Sequence, residues 1–314
     1  MKTRIVTPPE GIAAAVERLA AGELAALPTE TVYGLGAAAL DPLACARIFE
    51  AKARPLSDPL IVHVPEAGWL DELSLPNGLA RTLAEAFWPG PLTMVVPRRG
   101  RIPDLVTAGQ GTVALRMSAH PVFREVARSF GGPIAAPSAN RFGRISPTSA
   151  AHVEAELGGR IPLILDGGPC AHGIESTIVL LREQGVEILR HGPVTREALA
   201  AYGEILPGRG GVLAPGTMKS HYAPRTPLEI AGGTACRTDA AKAGLLAWSG
   251  SGEGFAAVEF LSPAQDLREA AAGLYGAMRR LDDAGLERIV AEPVPETGLG
   301  VAIMERLRKA AARE

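Results

Sequence analysis

Little in this chain points to a disulfide scaffold, a zinc module, a membrane span or a polyanion-binding field. Its 314 residues include only three cysteines, Cys45, Cys170 and Cys236, far apart in sequence, which excludes a disulfide framework and leaves buried thiols in a reducing compartment as the expectation. The six histidines are equally scattered, with no metal-ligand spacing. Apolar stretches break at Gly, Pro or charge well short of spanning length, and MKTRIVTPPEG at the amino terminus lacks an apolar signal core, so a cytoplasmic protein away from membranes is expected. A formal net charge of −2 excludes nucleic-acid binding through a strong overall positive field. Aromatics at 4% are too few to stack bases along a groove.

What the chain does have is 47% apolar residues, 36 glycines and 26 prolines. At this length a single core has usually stopped growing, so two domains are expected. Hydrophobic periodicity predicts helices over 9–22, 42–53, 66–72, 78–87, 121–130 and about 148–157. They alternate with strands at 24–27, 60–64, 92–96, 111–116, 133–136, 162–165, 176–181 and 186–190, which is the pattern of an α/β domain with a twisted mixed sheet. Asp41 reads as an N-cap with Pro42 at the first helical position. The segment PGRGGVLAPGTMKSHYAPRTP is crowded with Gly and Pro and marks a linker. Strands at 244–249, 255–261 and 288–291 with helices at 263–283 and 299–312 then give a smaller α/β, Rossmann-like unit, so the expected division is 1–203, 204–227 and 228–314.

Polar residues gather where strands end. After the apolar run Leu24–Leu27 comes PTETVYGLG, in which the hydroxyls of Thr29, Thr31 and Tyr33 can orient a polar substrate and the glycines let backbone approach it. Lys52 and Arg54 add fixed positive charge for phosphate or carboxylate. Ser57 and Asp58 precede a strand ending at His63, a position that is more often structural than functional. Alternation puts Thr112, Ala114 and Arg116 on one sheet face, and an arginine buried there demands an anionic partner. Ser138, Asn140 and Ser146 lie in a loop of small and hydroxyl residues able to cradle an anion, and Ser146 equally reads as the N-cap of the next helix. Ser176 and Thr177 start another strand, and Arg190 ends its hairpin partner.

Taken in order, PTETVYGLG, KARPLSDPLIVHV, WPGPLT, TVALRM, APSANRFGRISPT, GIEST and ILRHG resemble the successive motifs of the YrdC-like threonylcarbamoyl-AMP synthases, and APGTMKSHYAP resembles the linker of the family's long, two-domain form. The match is dense from about residue 9 to 226 and rests on position and size beyond that. The resemblance implies a YrdC-like catalytic domain that turns L-threonine, bicarbonate and ATP into threonylcarbamoyl-AMP and pyrophosphate. A separate transferase then places the group on the adenosine beside the anticodon of tRNAs reading ANN codons. It also implies that Thr31, His63, Arg116 and Ser176, with the backbone at Ala136, hold threonine, Arg116 clamping its carboxylate. Lys52 and Arg54 are the implied catalytic charges; Thr112, Ser138, Asn140, Ser146 and Arg190 face the nucleotide, and His221 reaches it from a linker acting as a lid.

Three positions depart from the family pattern. Asp58 stands where Asn is frequent, so ribose hydroxyls or the metal shell are its implied partners, and Ser220 replaces an arginine before His221. Arg141-Phe142 replaces smaller residues after Ser-Ala-Asn, which bears on access to the pocket. The implied metal is Mg²⁺ arriving with ATP and held by phosphates and water, with its protein ligands undefined and no tightly bound organic cofactor expected. Two other readings compete: an RNA-binding module using Lys52, Arg54, Arg98, Arg99, Arg101 and Arg144, and a carbamoyl-adenylating maturation domain, which is normally part of a longer chain carrying zinc-finger-like and acylphosphatase-like parts absent here.

Overall fold

A computed structural model describes residues 2–208, 210, 214–215, 221–232 and 240–312. Cys236 and Ser220 lie outside the described residues. In chain order the first part comprises β1 (Arg4–Val6), α1 (Glu10–Ala20), β2 (Ala25–Leu27), β3 (Gly34–Ala38), α2 (Pro42–Lys52), β4 (Ile61–His63), α3 (Trp69–Leu73), α4 (Gly78–Phe87) and β5 (Leu92–Pro97). It continues with α5 (Asp104–Thr107), β6 (Thr112–Arg116), α6 (Pro121–Phe130), β7 (Ile134–Ala135), α7 (Ala150–Leu157), β8 (Leu163–Leu165), β9 (Thr177–Arg182), β10 (Gly185–Arg190), α8 (Arg196–Ala200) and β11 (Ile205–Leu206).

These strands form one mixed sheet in the order β1-β8-β2-β3-β7-β4-β6-β5-β9-β10-β11. The main core fills one side of it, with Val62, Leu115, Met94 and Val179 packed against Ile48, Phe49, Leu83 and Leu199. A second cluster lies under α1 and α6, where Leu19 and Phe123 meet Leu27, Ile134 and Leu165. Helix α2 begins as its sequence dictates: the Asp41 carboxylate accepts from the N–H groups of Leu43 and Ala44, and Pro42 occupies the first turn. The α7 N-cap is Ser149, accepting from the His152 N–H, and not Ser146. The other difference that matters is β3. Residues 34–38 look like part of a glycine-punctuated turn but pair antiparallel with β2, Ala26 opposite Leu35.

The second part comprises β12 (Leu228–Ile230), β13 (Ala243–Ala247), β14 (Ala257–Phe260), α9 (Leu267–Asp283), β15 (Arg288–Ala291) and α10 (Leu299–Ala311). Its four strands are all parallel, in the order β12-β15-β13-β14. Leu274 and Leu281 are buried along α9, as their spacing predicts. By compactness the chain forms two units, Met1–Phe142 with Pro147–Ala171 and Glu175–Thr217, and Gly143–Ser146 with His172–Ile174 and Met218–Glu314. Among the described residues no helix is long and apolar enough to cross a membrane.

Candidate active site

The candidate site is built on the sheet face opposite the main core. His63 pairs with Arg116 across β4 and β6, Arg116 with Thr93 across β6 and β5, and Thr93 with Ile178 across β5 and β9. Register partners point to the same side, so His63, Arg116 and Thr93 share a face with Ile61, Ala114, Val95 and Ile178. Those four apolar residues form a small cluster with Leu180 and Ala214. From one end of β4 and β6 the face therefore passes from His63 and Arg116 to Ile61 and Ala114.

Arg116 is the centre of the polar end. Its Nη2 donates to Glu30 Oε1 at 2.6 Å and its Nη1 to Thr31 Oγ1 at 2.9 Å, with Nε directed at the Gly90 carbonyl at 3.4 Å. Ser118 Oγ donates to the other oxygen of Glu30. Burial works against charge on Glu30, but the Arg116 guanidinium and the Ser118 hydroxyl outweigh it and hold the carboxyl down at about 2. The anionic partner demanded by a buried arginine is thus supplied by the chain itself, through a glutamate that sequence reasoning passed over. The signal was present in PTETV, where a carboxylate stands beside hydroxyls in a turn.

His63 stacks obliquely on Phe123, with ring centroids 4.7 Å apart. Burial, reinforced by the nearby Arg116 charge, pushes its pKa down to about 3, and its Nδ1 has no hydrogen-bond partner. It is a neutral imidazole facing the arginine. Ala136 lies beside it, its N–H donating to the Ile61 carbonyl at 2.9 Å. A Cβ at Gly34 would come within 3.1 Å of the Ala136 Cβ, so the two backbones approach at that glycine. Thr29 and Tyr33 do not offer their hydroxyls outward. Thr29 Oγ1 bonds within its own turn, to Thr31 Oγ1 at 2.8 Å and the Val32 carbonyl at 2.6 Å, and the Tyr33 hydroxyl donates to the Gly168 carbonyl at 2.7 Å.

The network continues sideways. Thr93 Oγ1 lies 2.7 Å from Ser176 Oγ, which accepts from Arg190 Nη2 at 3.1 Å. Arg190 also donates from Nε to the Ser176 carbonyl at 3.0 Å and from Nη1 to the Pro215 carbonyl at 3.1 Å. A side chain at Gly192 would strike the Thr177 nitrogen at 2.5 Å, so glycine is required there for the hairpin to close over Ser176. Pro215 and Ala214 bring part of the Gly/Pro-rich segment onto this face.

A second cationic group stands at the end of α2. Lys52, almost wholly buried, donates from Nζ to the carbonyls of Ser138 at 2.6 Å and Asn140 at 2.5 Å, pinning the loop after β7. Burial first and the Arg54 charge second lower its pKa well below the usual lysine value. Arg54 forms a buried ion pair with Asp58 at 2.9 Å and donates to the Pro59 carbonyl at 2.7 Å. Burial raises the Asp58 pKa against the opposing charges of Arg54, Lys52 and Arg190. Phe142 lies over Arg54, 6.0 Å from guanidinium carbon to ring centroid.

The remaining expected residues are distributed as follows. Thr112 is on the Arg116 face at the other end of β6, about 13 Å away by strand rise, opposite Pro97. Ser138 is half-buried, and the Asn140 side-chain amide donates to the Arg141 carbonyl at 2.8 Å. Ser146 and His221 are buried and belong to the second unit. The described residues hold no group of three or more His, Cys, Asp or Glu side chains suited to a metal ion.

Residues 17–192 match the Sua5/YciO/YrdC family model, described as telomere recombination, and residues 194–312 match the threonylcarbamoyl-AMP synthase C-terminal domain. The chain is 41% identical to a threonylcarbamoyl-AMP synthase of Bacillus subtilis, over 96% of this chain and 92% of that one. It is 40% identical to a threonylcarbamoyl-AMP synthase of Pyrococcus abyssi, over 92% and 90%. A crystal structure of Pyrococcus abyssi Sua5 complexed with L-threonine superposes with a TM-score of 0.89 at 38% identity, covering 99% of this chain and 98% of that one. With both family models matched along its length, the chain belongs to the Sua5/YciO/YrdC family of threonylcarbamoyl-AMP synthases, in the form that carries the Sua5 C-terminal domain.

Proposed function

We propose that this chain is a nucleotidyltransferase that converts L-threonine, bicarbonate and ATP into threonylcarbamoyl-AMP and pyrophosphate, acting in the cytoplasm ahead of a tRNA threonylcarbamoyl transferase. The observation that carries the reading is the chain of polar contacts from Arg116, held by Glu30 and Thr31, through its register partner Thr93 and Ser176 to Arg190, whose charge acts on the buried Arg54–Asp58 pair. The names of the relatives and the threonine held by the Pyrococcus abyssi protein point the same way.

Guanidinium carries five N–H donors. Three of those of Arg116 are directed at Gly90, Thr31 and Glu30, so one remains on each terminal nitrogen. That is the fork a carboxylate accepts in bidentate fashion, and the amino-acid carboxylate belongs there. Neutral His63 beside it accepts a hydrogen bond from the amine or hydroxyl of threonine without adding charge. The carbamate formed on the amine then attacks the α-phosphorus of ATP, with pyrophosphate leaving.

No nucleophilic side chain is needed for this step. Positioning and charge neutralisation dominate such chemistry, and Lys52, Arg54 and Arg190 supply the fixed positive charge. An incoming triphosphate favours the charged form of Lys52, against the burial that lowers its pKa. Ser138 and Asn140, in the loop that Lys52 pins, and Thr112 farther along β6 line the direction in which the nucleotide extends. Mg²⁺ enters as part of the ATP substrate. Asp58 is already paired to Arg54, so phosphates and water hold that ion.

The test is amino-acid-dependent pyrophosphate release. Protein, ATP and bicarbonate with each amino acid in turn should release pyrophosphate with threonine and not with alanine or valine. Turnover with carbamoyl phosphate instead, or RNA binding without turnover, overturns the reading.

A further inference from the structure

Helix α2 has a second charged surface that the reaction does not use. At the start of β2, away from the turn that carries Thr29–Thr31, a cavity of about 720 Å³ is rimmed by Lys2, Arg4, Arg18, Arg47 and Arg160. Glu23 and Glu50 are its acidic residues, and Leu24, Ala51 and Pro162 give it an apolar floor. Five cations against two carboxylates is a strong local excess in a chain whose formal net charge is −2.

Little of that excess is neutralised within the protein. Arg18 pairs with Glu23 at 2.7 Å, and Arg47 donates to the Gly22 carbonyl. Lys2, Arg4 and Arg160 have no acidic partner among the described residues, although all three border the same cavity. Like charges gathered in a concavity focus the field on whatever enters it. They also repel one another, a cost that an anionic occupant removes.

We propose that this cavity is a second anion site, distinct from the one around Arg116, which takes a compact oligophosphate of nucleotide size. The volume falls within the range of about 300–1,000 Å³ common for small-molecule sites. Charge on the rim with Leu24 and Ala51 beneath suits phosphates at the mouth and a flat ring on the floor. A long nucleic-acid duplex fits less well, because the excess charge is confined to one concavity and the chain as a whole is slightly acidic. The two sites share a wall: Arg47, Glu50 and Ala51 line the cavity, and the next residue, Lys52, holds the Ser138 and Asn140 carbonyls on the other side.

The experiment is calorimetric titration of the full chain with inorganic tripolyphosphate, without threonine. Two equivalents are expected for the parent protein and one for the Arg4→Ala/Arg160→Ala double variant; Arg54→Ala should weaken the other equivalent. Arg4 and Arg160 are exposed, so the double variant should keep its thermal melt and its basal threonine-dependent pyrophosphate release. The charge-retaining Arg4→Lys/Arg160→Lys pair should keep the second equivalent. A non-hydrolysable ATP analogue that binds this site at least tenfold tighter than tripolyphosphate assigns it to nucleotides; equal affinity assigns it to bare oligophosphate. A stoichiometry left unchanged by Arg4→Ala/Arg160→Ala, or binding of an RNA duplex with none of tripolyphosphate, overturns the proposal, whereas a single equivalent lost in that double variant upholds it and removes the other site. Since the readout is binding, it stands or falls independently of the synthase reaction.

Discussion

Arg116 and Glu30 form an ion pair at 2.6 Å with both side chains less than a tenth exposed. A guanidinium set this way is aimed before any substrate arrives, since one carboxylate fixes its plane and Thr31 holds a second nitrogen. Removing one partner from a buried pair leaves an uncompensated charge, which costs about 3–5 kcal/mol. Glu30→Ala is therefore expected to lower the urea midpoint substantially. Glu30→Ala combined with Arg116→Met should recover part of that loss, because neither charge then remains. Equal destabilisation by the single and double changes would contradict the pairing.

Arg116→Ala separates the two substrates. The threonine carboxylate loses its bidentate partner, a loss of roughly 2–3 kcal/mol or about a hundredfold in affinity. ATP, held by Lys52, Arg54 and Arg190, should change little. Calorimetry with each ligand alone measures both, and equal weakening of the two would place Arg116 elsewhere in the mechanism.

Stability should fall on mild acidification, and His63 accounts for part of the fall. It is held neutral with a pKa of about 3 in the fold, against an ordinary 6.5. Above pH 6.5 neither state is protonated there, and stability is complete. Below it the unfolded chain binds the proton first, so stability declines by about 1.4 kcal/mol per pH unit until the folded state titrates as well. Glu30 acts in a lower window: its depressed pKa stabilises the fold above 4.5, and that contribution is lost as pH falls toward 2. Between pH 7.5 and 5 the parent protein should accordingly lose about 2 kcal/mol more than His63→Gln. Parallel pH profiles in urea melts would refute the burial of a neutral imidazole.

Much of this site could be anticipated from the order of residues, and what could not has a physical cause. Alternation alone put Thr112, Ala114 and Arg116 on one face, because period two is local. The pairing of Arg116 with both His63 and Thr93 depends on register between strands distant in sequence, which no local pattern records. Strand β3 went unseen because GLGAA has no β-branched residue and follows a turn; it is strand because β2 pairs with it on one side and β7 on the other. The demand of a buried arginine for an anion was legible, but its answer was not. A substrate carboxylate and Glu30 satisfy the same electrostatic requirement, and only the folded turn brings Glu30 to the guanidinium. Thr29 and Tyr33 failed in the opposite direction, their hydroxyls being consumed in holding the turn.

The Gly/Pro-rich segment yields the last prediction. Ala214 is buried in the apolar cluster with Ile61, Val95 and Ala114, and the neighbouring Pro215 carbonyl accepts from Arg190. Ala214 and Pro215 thus lie on the face along which a nucleotide lies in the proposed reaction, and covering such a face keeps water from a labile carbamate. Ala214→Asp would place an uncompensated carboxylate on that face, beside the Pro215 carbonyl and close to incoming phosphates. ATP affinity should drop at least tenfold by calorimetry while threonine affinity stays constant, and deletion after Tyr202 should impair pyrophosphate release in the same direction. If Ala214→Asp weakened threonine binding instead, Ala214 would lie at the amino-acid end of the face, and the order in which the two substrates lie along β6 would have to be reversed.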